Sequence, residues 1–147
     1  MKNIIDGKTA AKLTLKPTIE NPNGNLKKYL PIDANEPCTY KEVYFSELGP
    51  GRSKKWKCNR SQQQNLFVAF GRLSVICIEL KGDTYFFEEF LLDNKEKSCV
   101  LEIPRGLIYG LFTDENGALV VNALHEVYSD HDAMVVDQTF EILPKLL

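Results

Sequence analysis

The sequence is poor in the residues that usually build metal centres and nucleophilic sites. It contains two histidines, His125 and His131, and neither belongs to an H-x-H or H-x-x-x-H arrangement. A catalytic metal needs three or four converging histidine, cysteine or carboxylate groups. The G-x-S-x-G motif of a hydrolase nucleophile does not occur either. These absences predict a protein that uses neither a bound metal nor another cofactor.

Cysteine is also sparse, and its pattern argues against disulfide bonds. No C-x-x-C pair is formed by Cys38, Cys58, Cys77 and Cys99. Cys77 lies within an apolar run, where a thiol behaves as a small hydrophobic group. The first residues include no apolar stretch long enough for a signal peptide, so the expected compartment is the reducing cytoplasm. We therefore predict free thiols in a cytoplasmic protein.

Long hydrophobic runs and an excess of basic residues are both missing. The longest unbroken apolar run covers only residues 66–70, whereas a membrane-spanning helix needs about 20 residues. Lys and Arg total 18 against 20 Asp and Glu, and proteins that bind phosphate backbones usually carry a basic surplus. We therefore expect neither a membrane nor a nucleic acid as a partner.

What is present is a series of short β-branched and aromatic segments separated by turn residues. They cover residues 42–47, 65–70, 72–80, 84–92, 98–103, 107–112 and 118–123. This spacing is typical of an all-β sandwich or barrel. No window keeps a helical apolar stripe, although a short helical turn is expected near residues 130–133. The Asn-Gly pair within residues 114–117 predicts a tight hairpin.

We predict a single all-β domain from this pattern. Residues 1–40 are punctuated by prolines and are expected to supply edge strands and extended segments of the same domain. Residues 41–147 are expected to form a β-barrel with a C-terminal extension.

One polar segment stands out between residues 52 and 71. The only tryptophan, Trp56, is surrounded by five basic residues: Arg52, Lys54, Lys55, Lys57 and Arg60. Four amide residues follow: Gln62, Gln63, Gln64 and Asn65. Strand alternation places Gln62, Gln64 and Phe70 on one face. Both faces of this strand become apolar towards Gly71, so the strand should be packed on both sides. One pair of amides should therefore point into the barrel interior, close to its open end. The amides either line a polar pocket, which would supply the partners that buried amides need, or edge a solvated basic loop.

Tyr109 lies in an apolar strand just after a tight turn. A buried phenol needs a hydrogen-bond partner. Tyr109 is therefore either a proton donor in a cavity or an ordinary core tyrosine.

Several motifs follow one another in a recognisable order. The most specific is I-P-x-G-x-x-Y-G at residues 103–110, and the second is W-K-x-N at residues 56–59, followed by amides and a strand that ends in Gly71. Y-x-x-x-D at residues 128–132 comes later. From about Lys41 to about Asp137, this order resembles the cupin family of dTDP-4-dehydrorhamnose 3,5-epimerases and the related nucleotide-sugar 3,4-ketoisomerases.

The resemblance implies a double-stranded β-helix, or jelly roll, that is usually dimeric and has a metal-free site inside the barrel. In that family a proton is removed next to the 4-keto group of a nucleotide sugar, with a histidine as base and usually a tyrosine as acid. The paired histidines of the family fall on Lys57 and Asn59 of this chain. Asn59 cannot act as a base, whereas a desolvated Lys57 can. The lysine that steadies the keto oxygen in the family falls near Gln64.

The resemblance therefore implies Lys57 and Tyr109 as the acid/base pair, with Tyr128 near the family's late tyrosine. The implied substrate-binding residues are Arg52, Lys54 and Arg60 for the diphosphate, Asn59 and Gln64 as orienting donors, and Gln62 and Asn122. The expected function is that of an epimerase or isomerase, acting on an NDP-4-keto-6-deoxy sugar by metal-free proton transfer, in a homodimer. The alternatives are an inactive cupin that binds a sugar or nucleotide sugar, a partner subunit, and a structural β-domain without a ligand.

Overall fold

The computed structural model describes residues 3–30, 40–95, 98–129 and 133–145. Within these ranges the chain forms strands and turns without a helix, so the all-β prediction is confirmed. None of these residues belongs to a helix with the length and apolar character needed to cross a bilayer. The strands are β1 (Asn3–Asp6), β2 (Lys12–Leu15), β3 (Thr18–Ile19), β4 (Leu26–Lys27), β5 (Glu42–Leu48), β6 (Ser53–Asn59), β7 (Gln64–Lys81), β8 (Thr84–Asp93), β9 (Cys99–Ile103), β10 (Ile108–Leu124) and β11 (Ala133–Val135).

Two long central strands, β7 and β10, are antiparallel neighbours and take part in both halves of the molecule. Of the described strands, nine form one hydrogen-bonded sheet, and its two halves are called here the front sheet and the rear sheet. The second part of β7 and the first part of β10 lie in the front sheet, which has the order β1-β8-β7-β10-β6-β11. The other parts of these strands lie in a rear sheet, where β9 pairs with β7 and β2, and β5 pairs with β10. The short strands β3 and β4 pair only with each other among the described residues.

The hairpin predicted at residues 114–117 is wrong. Thr113 pairs with Leu73 and Ala118 pairs with Gly71, so both flanking segments lie along the same strand β7 and the chain does not reverse. The four residues between them form a bulge opposite one position of β7. The segments predicted as separate strands are therefore continuous, which is how β7 and β10 pass from the front sheet to the rear sheet.

Two glycines make this crossing possible. Gly71 and Gly117 have φ angles of 81° and 75°, a region that side chains disfavour. A Cβ atom on Gly71 would lie 2.2 Å from the carbonyl oxygen of Gly117. The close approach of the two backbones thus requires glycine, and the Asn-Gly pair serves a bulge instead of a hairpin.

The predicted face of Phe70 is wrong because of a second bulge. The alternation rule places its side chain on the same face as Gln64, but the pairing shifts between Leu119 and Val120. The Phe70 side chain is consequently 73% exposed on the outside of the molecule.

The main hydrophobic core lies between the two sheets. Its members come from both sheets and include Leu66, Val68, Leu73, Val75, Cys77, Phe90, Leu92, Leu101, Ile103 and Leu111. Fully burying a Leu, Val or Ile side chain stabilises a fold by about 1.5–3 kcal/mol. The core therefore holds the two sheets together and leaves one end of the space between them to polar side chains.

A separate aromatic cluster covers the outside of the front sheet. Trp56 packs edge-to-face against Phe112 and Phe140, with ring centroids 5.8 and 5.6 Å apart. The Tyr85 hydroxyl donates to the Gln138 side-chain oxygen over 2.9 Å. The C-terminal segment is thereby fastened to the outer face, and Trp56 of β6 points away from the interior.

Some predicted features fall wholly or partly outside the described residues. These include Cys38, His131 and residues 130–132 of the expected helical turn. The last residue of that expected turn, Ala133, is the first residue of strand β11. Cys58 and Cys77 are buried thiols that form no disulfide.

Candidate functional site

An open cavity of about 340 Å³ lies between the two sheets. Its front wall is formed by β6 and the first part of β10, and its rear wall by β5, the start of β7 and the end of β10. The front wall carries Lys54, Lys57, Asn59, Tyr109 and Leu111, the rear wall carries Glu42, Tyr44, Ser46, Gln64, Leu66, Val120 and Asn122, and Tyr128 follows β10. The structure therefore brings together most of the site residues predicted from the sequence.

A bulge on the front wall turns two lysines towards the cavity. Tyr109 is the direct cross-strand partner of Lys57, whereas Leu111 is the partner of Lys54. Three steps along β6 thus match two steps along β10. In a regular strand, residues three apart would face opposite sides, but the extra residue brings both lysines to the same face.

The Lys57 ammonium group is half-buried beside another positive charge. Burial lowers the pKa of Lys57 below its ordinary value, and the charge of Lys54 lowers it further. No described carboxylate oxygen lies within 4.0 Å of the Lys57 nitrogen to offset these effects. The environment therefore favours the neutral amine, which is the form that accepts a proton.

Tyr109 has the opposite tendency. Its side chain is only 8% exposed. Burial raises the pKa of Tyr109, and the nearby phenols Tyr44 and Tyr128 add to the effect. Tyr109 consequently remains a protonated donor. The cross-strand pair thus combines an amine whose pKa is lowered with a phenol whose pKa is raised.

A set of neutral groups on the rear wall is joined by hydrogen bonds. The Asn65 backbone N–H donates to the Asn122 side-chain oxygen over 3.0 Å. The Asn122 Nδ2 donates to the Gln64 Oε1 over 2.5 Å and to the Tyr44 hydroxyl over 2.9 Å. The Gln64 Nε2 is buried and has no protein partner among the described residues. Burial raises the pKa of Tyr44, so this phenol also keeps its proton.

Asn59, at the position where the resembled family has a histidine, is engaged in a turn. Its side-chain oxygen accepts the backbone N–H groups of Ser61 and Gln62 at 2.9 and 3.0 Å. Only its amide nitrogen remains for the cavity. Of the two histidines, His131 lies outside the described residues, and His125 stacks on Tyr40 with centroids 4.6 Å apart and does not line the cavity.

Three predicted substrate-binding residues do not line the cavity. Arg52 and Arg60 have exposed side chains outside it. The Gln62 amide donates to the Glu126 carbonyl oxygen and accepts its N–H, both over 3.1 Å. Gln62 therefore fastens the segment after β10 to the end of β6, and Lys54 is the one predicted diphosphate residue that reaches the cavity.

Several cavity residues of strand β5 were not predicted from the sequence. Glu42, Tyr44 and Ser46 alternate with exposed residues and point into the cavity. Glu42 also accepts the Tyr128 backbone N–H over 3.3 Å, and the Tyr44 and Tyr128 rings meet edge-to-face at 6.3 Å. The sequence shows that the side chains of β5 alternate, but only the pairing of β5 with β10 decides which face of β5 is internal.

In the part of the chain that the structure describes, no group of three His, Cys, Asp or Glu side chains converges as a metal site. The described cavity lining supplies two amines, three phenols, one aliphatic hydroxyl, one carboxylate and three amides.

The fold is similar to that of solved dTDP-sugar isomerases and epimerases, the family that the motif order resembles. The structure is similar to a dTDP sugar isomerase from Desulfovibrio desulfuricans, with 25% identity, a TM-score of 0.76, and coverage of 88% of this chain and 85% of that chain. It is also similar to the RmlC epimerase of Mycobacterium tuberculosis, with 15% identity, a TM-score of 0.74, and coverage of 92% and 73%.

A third similar structure is a mutant of the 3,4-ketoisomerase QdtA from Thermoanaerobacterium thermosaccharolyticum in complex with TDP-4-keto-6-deoxyglucose. It has 17% identity, a TM-score of 0.67, and coverage of 84% of this chain and 86% of that chain. No protein-family model matches the sequence, and no curated protein matches it. The predicted jelly roll is confirmed by these similarities.

Proposed function

We propose that the protein is an enzyme that moves a proton next to the ketone of an NDP-4-keto-6-deoxy sugar, without a metal ion. The observation that carries this proposal is the cross-strand pair of Lys57 and Tyr109 on one wall of the cavity. Their surroundings shift the two pKa values in opposite directions, down for the amine and up for the phenol. Such a division suits one group to accept a proton and the other to donate one.

In the proposed reaction, the neutral Lys57 amine removes the proton from the carbon beside the ketone. The electron pair of the C–H bond forms the carbon–carbon double bond of an enolate, and the carbonyl electrons move to oxygen. Tyr109 then donates its proton to the other face of that carbon, which inverts it, and after product release the Lys57 ammonium group returns a proton to the phenolate. Tyr128, at 41% exposure, is a second proton donor nearer to solvent.

The enolate oxygen needs fixed hydrogen-bond donors in a site that excludes water. The unpartnered Gln64 Nε2 and the amide nitrogen of Asn59 supply them from opposite walls. Lys54 also lines the cavity and is exposed enough to meet the diphosphate. Arg52 and Arg60 are left out of this proposal because their side chains lie elsewhere.

A second candidate function is binding of a nucleotide sugar without catalysis. Asn59 favours it, because a group without an accessible pKa stands where the resembled family has a histidine, and its oxygen is committed to a turn. In this candidate the same cavity holds the ligand, and Lys57 serves only as a cation.

Hydrogen–deuterium exchange separates the two candidates. The protein is incubated with dTDP-4-keto-6-deoxyglucose in deuterated water, and exchange at the carbons beside the ketone is followed by NMR. Exchange that is lost in Lys57→Met and kept in Lys55→Met supports the enzyme, since Lys55 is exposed on the same strand and does not line the cavity. Binding of the sugar nucleotide without any exchange supports the binding protein instead.

We further propose that the protein is a homodimer. Val43 and Phe45 on β5 are 49% and 61% exposed, and adjacent exposed apolar side chains mark protein interfaces. Phe45→Glu is expected to convert the dimer to a monomer in light scattering coupled to size exclusion, with the exposed substitution Asn23→Asp as a control that adds the same charge. A wild-type chain that elutes as a monomer at all concentrations contradicts this assignment.

A further inference from the structure

The buried amides of the rear wall have a defined direction. A backbone N–H can only donate, so the contact between Asn65 N and the Asn122 side chain identifies the accepting end of Asn122 as its oxygen. The opposite end of Asn122 is therefore its NH₂ group. Its two protons are both used, one towards the Gln64 oxygen and one towards the Tyr44 hydroxyl.

The orientation of the Asn122 amide also fixes the orientation of the hydrogen-bonding groups of Gln64 and Tyr44. Because the Gln64 oxygen faces Asn122, the Gln64 NH₂ group is at the other end of the amide, where it is buried without a protein partner among the described residues. Because the Tyr44 hydroxyl oxygen accepts a hydrogen bond from Asn122, the hydroxyl proton is left to donate elsewhere. Both Gln64 and Tyr44 line the cavity.

We propose that Asn122 is a positioning residue that makes the rear wall a surface of hydrogen-bond donors, selective for a ligand oxygen that can only accept. The inference rests on the proposed function where it names that oxygen as the ketone oxygen of a sugar. Asn122 itself needs no contact with the ligand. A hydroxyl group can also accept, but the ketone meets the donors without losing a hydrogen bond of its own.

The substitution Asn122→Asp reverses the direction of this network at almost constant volume. One carboxylate oxygen still accepts the Asn65 backbone N–H, while the other accepts where the amide had donated. Gln64 must then turn its NH₂ group towards the carboxylate, and the Tyr44 hydroxyl must also point its proton at the carboxylate. The Gln64 oxygen faces the cavity, so the rear wall becomes an acceptor surface that suits a hydroxyl group and repels a ketone.

Calorimetric titration with two matched ligands tests this reversal without any need for turnover. The probes are dTDP-4-keto-6-deoxyglucose and dTDP-6-deoxyglucose, which carries a 4-hydroxyl group, with dTDP as a reference. The wild-type protein is expected to bind the keto sugar at least about tenfold more tightly than the hydroxy sugar, and Asn122→Asp is expected to invert that order. Asn23→Asp, in an exposed turn, controls for the added charge.

A neutral variant guards against misfolding caused by a buried carboxylate. In Asn122→Ser the side chain is too short to reach Gln64, so the keto preference should shrink towards onefold without inversion, while dTDP binding remains. Equal preference ratios in wild type, Asn122→Asp and Asn122→Ser would overturn the proposal.

A ligand-free measurement separates this inference from the proposed function. In NMR spectra the Asn122 side-chain NH₂ protons should show nuclear Overhauser effects to the Tyr44 ring, and the Gln64 NH₂ protons should move downfield in Asn122→Asp. If this pattern is seen and no sugar nucleotide binds, the positioning role stands and the proposed function fails. If the Asn122 NH₂ protons lie away from Tyr44, the positioning role is wrong whatever the protein binds.

Discussion

The two walls of the cavity use polar side chains in different ways. The front wall carries ionisable groups, Lys54, Lys57 and Tyr109, on β6 and its neighbour. The rear wall centres on neutral amides whose hydrogen bonds begin at a backbone N–H. The first wall can change its protonation state, while the second holds its donors in one direction.

The positions of the strands explain this difference. On the front wall, β6 is flanked outside only by the short strand β11 among the described residues, so Lys57 remains half-buried and within reach of solvent protons. On the rear wall, Gln64 and Asn122 lie on the two central strands and are each 3% exposed. Proton exchange requires access to solvent, whereas fixed donors gain strength in a dry site. In the proposed reaction, the front wall therefore performs proton transfer and the rear wall stabilises charge.

The largest effect is expected from removing the amine of the front wall. Lys57→Met should lower carbon-bound exchange by about a thousandfold, within the range that a general base contributes. Binding of dTDP should change by less than about tenfold, because Lys54 remains. Steady-state kinetics together with calorimetry give both values. A variant that keeps exchange within tenfold of wild type would move the base to another residue.

Removing a phenol hydroxyl from either wall should lower the rate less than removing the Lys57 amine. Tyr109→Phe is expected to lower kcat by about a hundredfold, whereas Tyr44→Phe should cost about tenfold, because Tyr44 lies on the wall of fixed donors. Single-turnover rates measure the chemical step for both variants. If Tyr44→Phe proves the more damaging substitution, the proton is returned by the rear wall and Tyr109 is not the acid.

The smallest effect concerns pH. The rate should rise with pH through the lowered pKa of Lys57, since the base acts only as the neutral amine. The raised pKa of Tyr109 keeps the acid protonated across the same range. Lys54→Met removes the charge that helps to lower the Lys57 pKa, so the rising limb should move to higher pH.

The rate of Lys54→Met at neutral pH should fall by less than about tenfold, because a partly screened charge contributes on the order of 1 kcal/mol. A pH–rate profile for this variant and for Lys55→Met measures the shift. A limb that moves to lower pH, or one that is unchanged, contradicts the assignment of Lys57 as the base.

Much of the strand content could be predicted because alternation and turn residues are local signals. The segment at residues 42–47, for example, became β5 (Glu42–Leu48). The hairpin at residues 114–117 failed because its Asn-Gly signal describes a backbone angle and not the partner strand. Gly117 uses that angle to pass close to Gly71, and the chain continues along β7.

The position of a site residue could be predicted where residue type and strand face agreed, while its role stays a prediction. Gln64 and Tyr109 lie in apolar strands, and both line the cavity. Arg52 and Arg60 were chosen for charge alone, and their side chains lie outside it. Tyr44 was missed because its strand shows alternation without indicating which face is internal.

The sequence by itself determined the all-β class, the order of the motifs and the supply of amines, phenols and amides, because these depend on residue type and on spacing along the chain. Tertiary structure alone decided that Lys54 and Lys57 share a face and that Asn122 directs Gln64. The first depends on one extra residue in the pairing of β6 with β10, and the second on contacts between residues 58 positions apart in the chain. Pairing register and long-range hydrogen bonds are properties of the folded sheet, and no local pattern encodes them.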